Sequence, residues 1–219
     1  MTILYSNGCS YTANRVLPNE QLYPYLLADK LKWSLEFAAT PGSSNSKILR
    51  CTIRDCIKLL EKKEKIVAMI QLSHMTRTEF AGVKNTVNHW KYSKDDLFES
   101  INGPDCPDIS EIARQFGKNY ILLHDEQAAL TRLMSDIIAL AGFFNQHSID
   151  YVIYSGPKIY LTLDKIGKDI FYQYLKNDTR VLDLINFNML ELTGKQVHPD
   201  TNGMQLIADY FFNLLYESA

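Results

Sequence analysis

Two short, almost unbroken apolar runs constrain this chain more than any other feature: "KIVAMIQLS", Lys65 to Ser73, and "DYVIYSGP", Asp150 to Pro157. Runs of this length, rich in Val, Ile, Met and Tyr and ended by turn formers, read as strands buried on both faces. A strand with one wet face would instead alternate apolar and polar residues. Such strands need helices above and below them, and the intervening segments supply the pattern.

Thr2 to Ser6 is a short β-rich run ending in the turn signal Asn7-Gly8. Asn19 to Trp33 reads as a helix with Leu22, Leu26, Leu27 and Leu31 on one face, and Pro24 is tolerable there only near the first turn. Ser34 to Ala38 is a second strand, cut off by Pro41-Gly42. A helix follows from Ser44, with Ser44, Asn45 and Ser46 as caps and Ile48, Leu49, Ile53, Cys56, Ile57 and Leu60 at helical spacing. Asp125 to Gln146 is a long amphipathic helix through Leu130, Leu133, Met134, Ile137, Ile138 and Leu140. Phe171 to Leu175 reads as helical, Val181 to Ile185 as a short strand, and Asp200 to Leu215 as the closing helix.

Strands and helices therefore alternate, which predicts an α/β protein: a three-layer α/β/α sandwich around a mostly parallel sheet. With 219 residues, 46% of them hydrophobic, the chain fits one domain with a real core. Met75 to Leu122 breaks the rhythm, with Trp90 and a Gly-Pro and Cys-Pro cluster at Gly103 to Pro107, and reads as an insertion or lid.

Charge and motif content narrow the function classes. A net charge of -2 and a pI near 6.2 argue against a partner nucleic acid held through phosphates. The one dense charge run, "EKKEK" at Glu61 to Lys65, alternates in sign and suits a solvated helix end. No apolar run approaches the roughly 18 residues of a membrane span, and "MTILYSNG" lacks the pattern of a signal peptide. The expectation is a cytoplasmic protein without a membrane partner, in which Cys9, Cys51, Cys56 and Cys106 are free thiols. The five histidines show no metal-ligand spacing, and there is no G-x-G-x-x-G or Walker run, so no metal or other cofactor is implied.

In parallel sheets the chemistry collects at the carboxyl ends of the strands. Ser10 follows the first strand, Gly42 the second and Ser73 the third, while His198 stands before the last helix. A Ser hydroxyl becomes a nucleophile when an imidazole takes its proton, and the resulting oxyanion needs donors aimed at it. Ser10 is either such a nucleophile or an ordinary turn residue. His198 is either its base or a residue preceding a cap at Asp200 or Thr201. Ser73 and His74 are either part of the site or ordinary strand-end residues. Arg77 and Glu79 either pair at the surface or line the cleft. Trp90 and Tyr92 either contact a sugar or pack on the core.

Four blocks in order resemble the SGNH (GDSL-type) hydrolases. Gly8-Cys9-Ser10-Tyr11-Thr12 is similar to the family's Gly-Asp-Ser-x-Thr, with Cys9 in place of Asp. Pro41-Gly42-Ser43-Ser44-Asn45 resembles the second block, whose Gly donates a backbone N–H. Ile70-Gln71-Leu72-Ser73-His74 lies where Gly-x-Asn-Asp belongs, and Val197-His198-Pro199-Asp200-x-x-Gly203 resembles the last block. The resemblance implies a flavodoxin-like topology and a serine esterase acting on small acyl esters, including O-acetyl groups on carbohydrate. It implies Ser10 as nucleophile, His198 as base, and oxyanion donors from Ser10, Gly42 and either Ser73 or Asn45. Lys195 occupies the position of the acid that orients the base, which leaves Asp200, Glu79 or a backbone carbonyl for that role, or none. The alternative from another class is an SGNH-fold binding or interaction module with weak or no catalysis. A nucleotide-binding flavodoxin-like domain is a weaker rival.

Overall fold

The apolar runs pair as parallel strands. The computed structural model describes residues 1–75, 77, 119, 125–156, 169–182, 189–193 and 198–216. Its elements are β1 (Thr2–Asn7), α1 (Tyr23–Leu31), β2 (Ser34–Phe37), α2 (Asn45–Leu60), β3 (Lys65–Leu72), α3 (Glu126–Gln146), β4 (Asp150–Ser155), α4 (Ile170–Leu175), α5 (Met189–Thr193) and α6 (Thr201–Tyr216). The sheet order is β2-β1-β3-β4, all parallel. Beyond β4, Val181 makes a parallel bridge to Ile153, where a fifth strand of this topology would lie. Residues 183–185 of the predicted Val181 to Ile185 strand are outside the described residues, as is nearly all of the predicted 75–122 insertion.

Helices α1 and α6 pack on each other, as do α2 and α3, giving three layers. From Ile66 to Leu72 every residue of β3 is buried, and β4 is buried from Tyr151 to Ser155. Each buried Val, Leu, Ile or Met side chain contributes about 1.5–3 kcal/mol, so this central pair anchors the fold.

One expectation needs correction. Asn19 to Trp33 is not one helix: a single 3₁₀ turn, Asn19–Gln21, precedes α1, which starts at Tyr23 with Pro24 in its first turn. Proline has no N–H to give, so it fits a first turn and excludes an earlier α-helical start. Helix α3 is, by length and composition alone, long and apolar enough to cross a membrane. Its Leu130, Leu133, Met134, Ile137, Leu140, Ala141 and Phe144 are buried, so this face serves the core.

Register positions the site. Asn7 at the end of β1 lies beside Ile70, and Leu72 at the end of β3 lies beside Ser155. The loops carrying Ser10, Ser73 and Gly156 therefore leave one edge of the sheet together. Past β2 the chain keeps following β1, through Ala38 N–H to the Ser6 carbonyl (2.9 Å) and Thr40 N–H to the Gly8 carbonyl (3.1 Å). This delivers Gly42 to the same edge.

Candidate active site

The turn that carries Ser10 is built from its own backbone. Asn7 Nδ2 donates to the Ile48 carbonyl and to Thr52 Oγ1, both at 3.0 Å, which ties the end of β1 to α2. Asn7 Oδ1 accepts the Gly8 N–H at 2.8 Å. The Cys9 carbonyl accepts the N–H groups of Thr12 (3.0 Å) and Ala13 (2.9 Å), a tight turn that holds Ser10 half-buried at its head.

Beneath this turn lies a buried polar side chain, Gln71. Its Oε1 accepts the Cys9 N–H at 2.9 Å and the Thr12 hydroxyl at 3.1 Å, and its amide nitrogen donates to the Leu72 carbonyl. Thr12 also bonds Tyr23, which in turn meets the Tyr154 hydroxyl. Burial pushes the Tyr23 phenol up to about 12 and Tyr154 well above its ordinary value, so both stay neutral donors. Gln71 is squeezed between two glycines. A Cβ on Gly8 would come within 2.7 Å of Gln71 Oε1, and one on Gly156 within 2.3 Å of its amide nitrogen. Both positions need glycine for close approach.

Gly42 sits at the third position of a turn in which the Ser43 N–H reaches the Thr40 carbonyl (3.2 Å). Its φ of 83° lies in the left-handed region, and with Pro41 at the second position this is the chemistry of a type II turn. Ser44 then caps α2, accepting the Lys47 N–H at 3.2 Å. Asn45 reaches across to the end of β3: its Oδ1 accepts the Ser73 N–H (2.7 Å) and its Nδ2 donates to the Ser73 carbonyl (3.0 Å). Both ends of the Asn45 amide thus hold Ser73 in place. Ser73 Oγ accepts a hydrogen bond from Arg77 Nη1 at 2.7 Å, and the same nitrogen lies 3.4 Å from the Ser43 carbonyl. Arg77 is buried, which decides against the surface pair expected as one of its two readings. Glu79, Lys195, Trp90 and Tyr92 lie outside the described residues.

His198 comes from the far end of the chain, and its Nε2 lies 2.7 Å from Ser10 Oγ. Its ring stacks obliquely on Tyr11, with centroids 4.9 Å apart and planes at 31°. Asn14 Nδ2 donates to the Pro199 carbonyl at 3.0 Å and so ties the His198 loop to the Ser10 loop. Asp200 caps α6, its Oδ1 accepting the Gly203 N–H at 2.9 Å. That carboxylate oxygen serves the helix, the role weighed for Asp200 beside that of orienting acid.

Burial first and the buried Arg77 charge second set the electrostatics of the site. Burial lowers the His198 pKa, and the neighbouring Arg77 charge lowers it further. His74, 3.5 Å from the Tyr11 hydroxyl, is pushed down to about 4 by burial, then by Arg77 and by His198. Both imidazoles are therefore neutral near pH 7. A neutral imidazole with its proton on Nδ1 accepts the Ser10 hydroxyl proton at Nε2. Three contributors escaped the sequence: Gln71, Asn14 and Tyr11. The legible signal was Gln71, a polar residue inside an apolar strand.

No protein-family model and no curated protein sequence matches the chain. Solved structures do. The chain is similar to the psychrotrophic esterase EstA from Pseudoalteromonas sp., in a structure inhibited by monoethylphosphonate. The TM-score is 0.54 and the identity 16%, over 99% of this chain and 97% of that one. It is also similar to a lipolytic protein of the G-D-S-L family from Desulfitobacterium hafniense, with a TM-score of 0.52 and 9% identity over 97% and 98% of the two chains. The chain has the SGNH-hydrolase fold. On the block pattern of SGNH hydrolases, Gln71 stands at the third-block Gly position and Ser73 at the Asn position. Side-chain volume added at the first is accommodated by Gly8 and Gly156.

Proposed function

We propose that this chain is a serine esterase working through an acyl-enzyme. The observation that carries the reading is the 2.7 Å contact between Ser10 Oγ and His198 Nε2. Ser10 attacks the ester carbonyl while His198 takes its proton. The N–H groups of Ser10 and Gly42 and the Ser73 hydroxyl hold the oxyanion. Collapse of the tetrahedral intermediate breaks the bond to the alcohol, which leaves with the proton from His198. Water, deprotonated by the same imidazole, then cleaves the acyl-serine ester, releasing the acid and restoring the hydroxyl. Small acyl esters, among them O-acetyl groups on carbohydrate, are the substrate class.

The test is hydrolysis of p-nitrophenyl acetate by the wild type and by Ser10→Ala, with acetylated xylo- or cello-oligosaccharides as the second substrate set. Turnover that Ser10→Ala abolishes supports the reading. Equal rates for the two proteins reject it in favour of a binding module on the same fold.

A further inference from the structure

The position that is Asn in the SGNH block pattern is Ser73 here, and a serine hydroxyl is a weaker and less directed donor than an amide. It carries one proton and two lone pairs, and it rotates. The surroundings of Ser73 remove that freedom. Its backbone is clamped on both sides by Asn45, at 2.7 and 3.0 Å. Its oxygen accepts from Arg77 Nη1 at 2.7 Å. A hydroxyl that accepts from a cation in this way keeps its own proton directed elsewhere, and the charge polarises the O–H bond. Arg77 is only 3% exposed, so little water screens that charge.

Resting on the esterase reading above, we propose that Arg77 is a positioning residue of the oxyanion hole: it holds and polarises Ser73 so that the pair replaces the single Asn donor of related sites. The field of Arg77 is already felt at the site, since it disfavours the charged forms of both His74 and His198. A negative charge developing on the carbonyl oxygen meets the same field with the opposite sign. The field also opposes the imidazolium formed when His198 takes the proton. The direct hydrogen-bonded path through Ser73 makes the gain at the oxyanion the larger of the two. The carbonyl oxygen is neutral in the ground state and gains its charge only in the transition state, so the contribution belongs to kcat rather than KM.

The experiment is a double-mutant cycle on the full chain with p-nitrophenyl acetate: wild type, Ser73→Ala, Arg77→Met and the double variant, each checked for fold by circular dichroism. Each single variant is expected to lose about 100-fold in kcat, the effect of one oxyanion donor, with KM nearly unchanged. The double variant loses no more than the worse single one, because each acts through the other. Arg77→Lys keeps a charged donor and recovers part of the loss. If Arg77→Met does not fold, the cycle is run with Arg77→Lys, whose smaller cost must vanish in the Ser73→Ala background. Additive losses, or full activity of Ser73→Ala, overturn the assignment to Arg77 and leave the esterase standing. An inactive wild type overturns both.

Discussion

Ser10 Oγ and His198 Nε2 stand 2.7 Å apart although 188 positions separate them in the chain. Ser10 is fixed by the turn that β1 launches, and His198 by the start of α6 together with the bond from Asn14 Nδ2 to the Pro199 carbonyl. Asn14→Ala removes that tie. A net hydrogen-bond contribution near 1 kcal/mol predicts a loss of roughly five- to tenfold in kcat/KM. Steady-state kinetics checks it, and an unchanged kcat/KM would show that α6 alone positions the base.

The pH profile follows from the groups around His198: Arg77, the neutral His74 and the Tyr11 ring, with the Ser10 hydroxyl as its partner. Burial and Arg77 both lower its pKa below the ordinary 6.5. A general base works when unprotonated, so lowering its pKa extends activity to more acidic conditions. The acidic limb of kcat/KM should fall below pH 6.5. Arg77→Met removes one of the two causes and should move that limb upward. A wild-type midpoint above 6.5 would contradict the electrostatic account.

Stability carries a second pH signature, from His74. Its folded pKa, about 4, is depressed from 6.5. Between those values the unfolded chain binds the proton and the folded one does not, so stability rises with pH across that window and is lost as pH falls through it. The shift corresponds to about 3 kcal/mol between pH 6.5 and 4. Urea melts of wild type and His74→Gln over that range measure it. The slope should flatten in the variant, and equal slopes would assign the acid sensitivity to other groups.

Gln71→Leu keeps the volume but strips the acceptor from the Cys9 N–H and the Thr12 hydroxyl. Stranding buried donors costs about 1–3 kcal/mol each, and the Ser10 turn loses its floor. Both the thermal midpoint and kcat should drop. A drop in the midpoint alone would mean that Gln71 supports the fold but not the turn.

The fold was legible because β3 and β4 are buried on both faces, and such strands leave a continuous apolar signature whatever surrounds them. Ser44, one of the three caps offered for α2, was legible too, since caps are local chemistry. The split before α1 was misjudged because Leu22 fits the helical stripe by spacing, while Pro24 sets where helical hydrogen bonding begins. The site was partly legible: Ser10, Gly42, Ser73 and His198 stand at strand ends or before a helix, and the parallel topology collects such positions. The Asn45–Ser73 bonds join the start of α2 to the end of β3, and the bond from the Cys9 N–H to Gln71 joins the Ser10 turn to β3, so both depend on register. The polar Gln71 inside an apolar strand is a local signal, but no local pattern encodes these partners.

Labelling with a fluorophosphonate probe, followed by mass spectrometry of the peptide carrying the adduct, tests the central claim most directly. Only a serine activated by its surroundings reacts with such a phosphorus electrophile at useful rates. The account predicts a single adduct on Ser10 that is lost in Ser10→Ala and strongly slowed in His198→Ala. An unmodified Ser10 in the folded wild-type protein would contradict it.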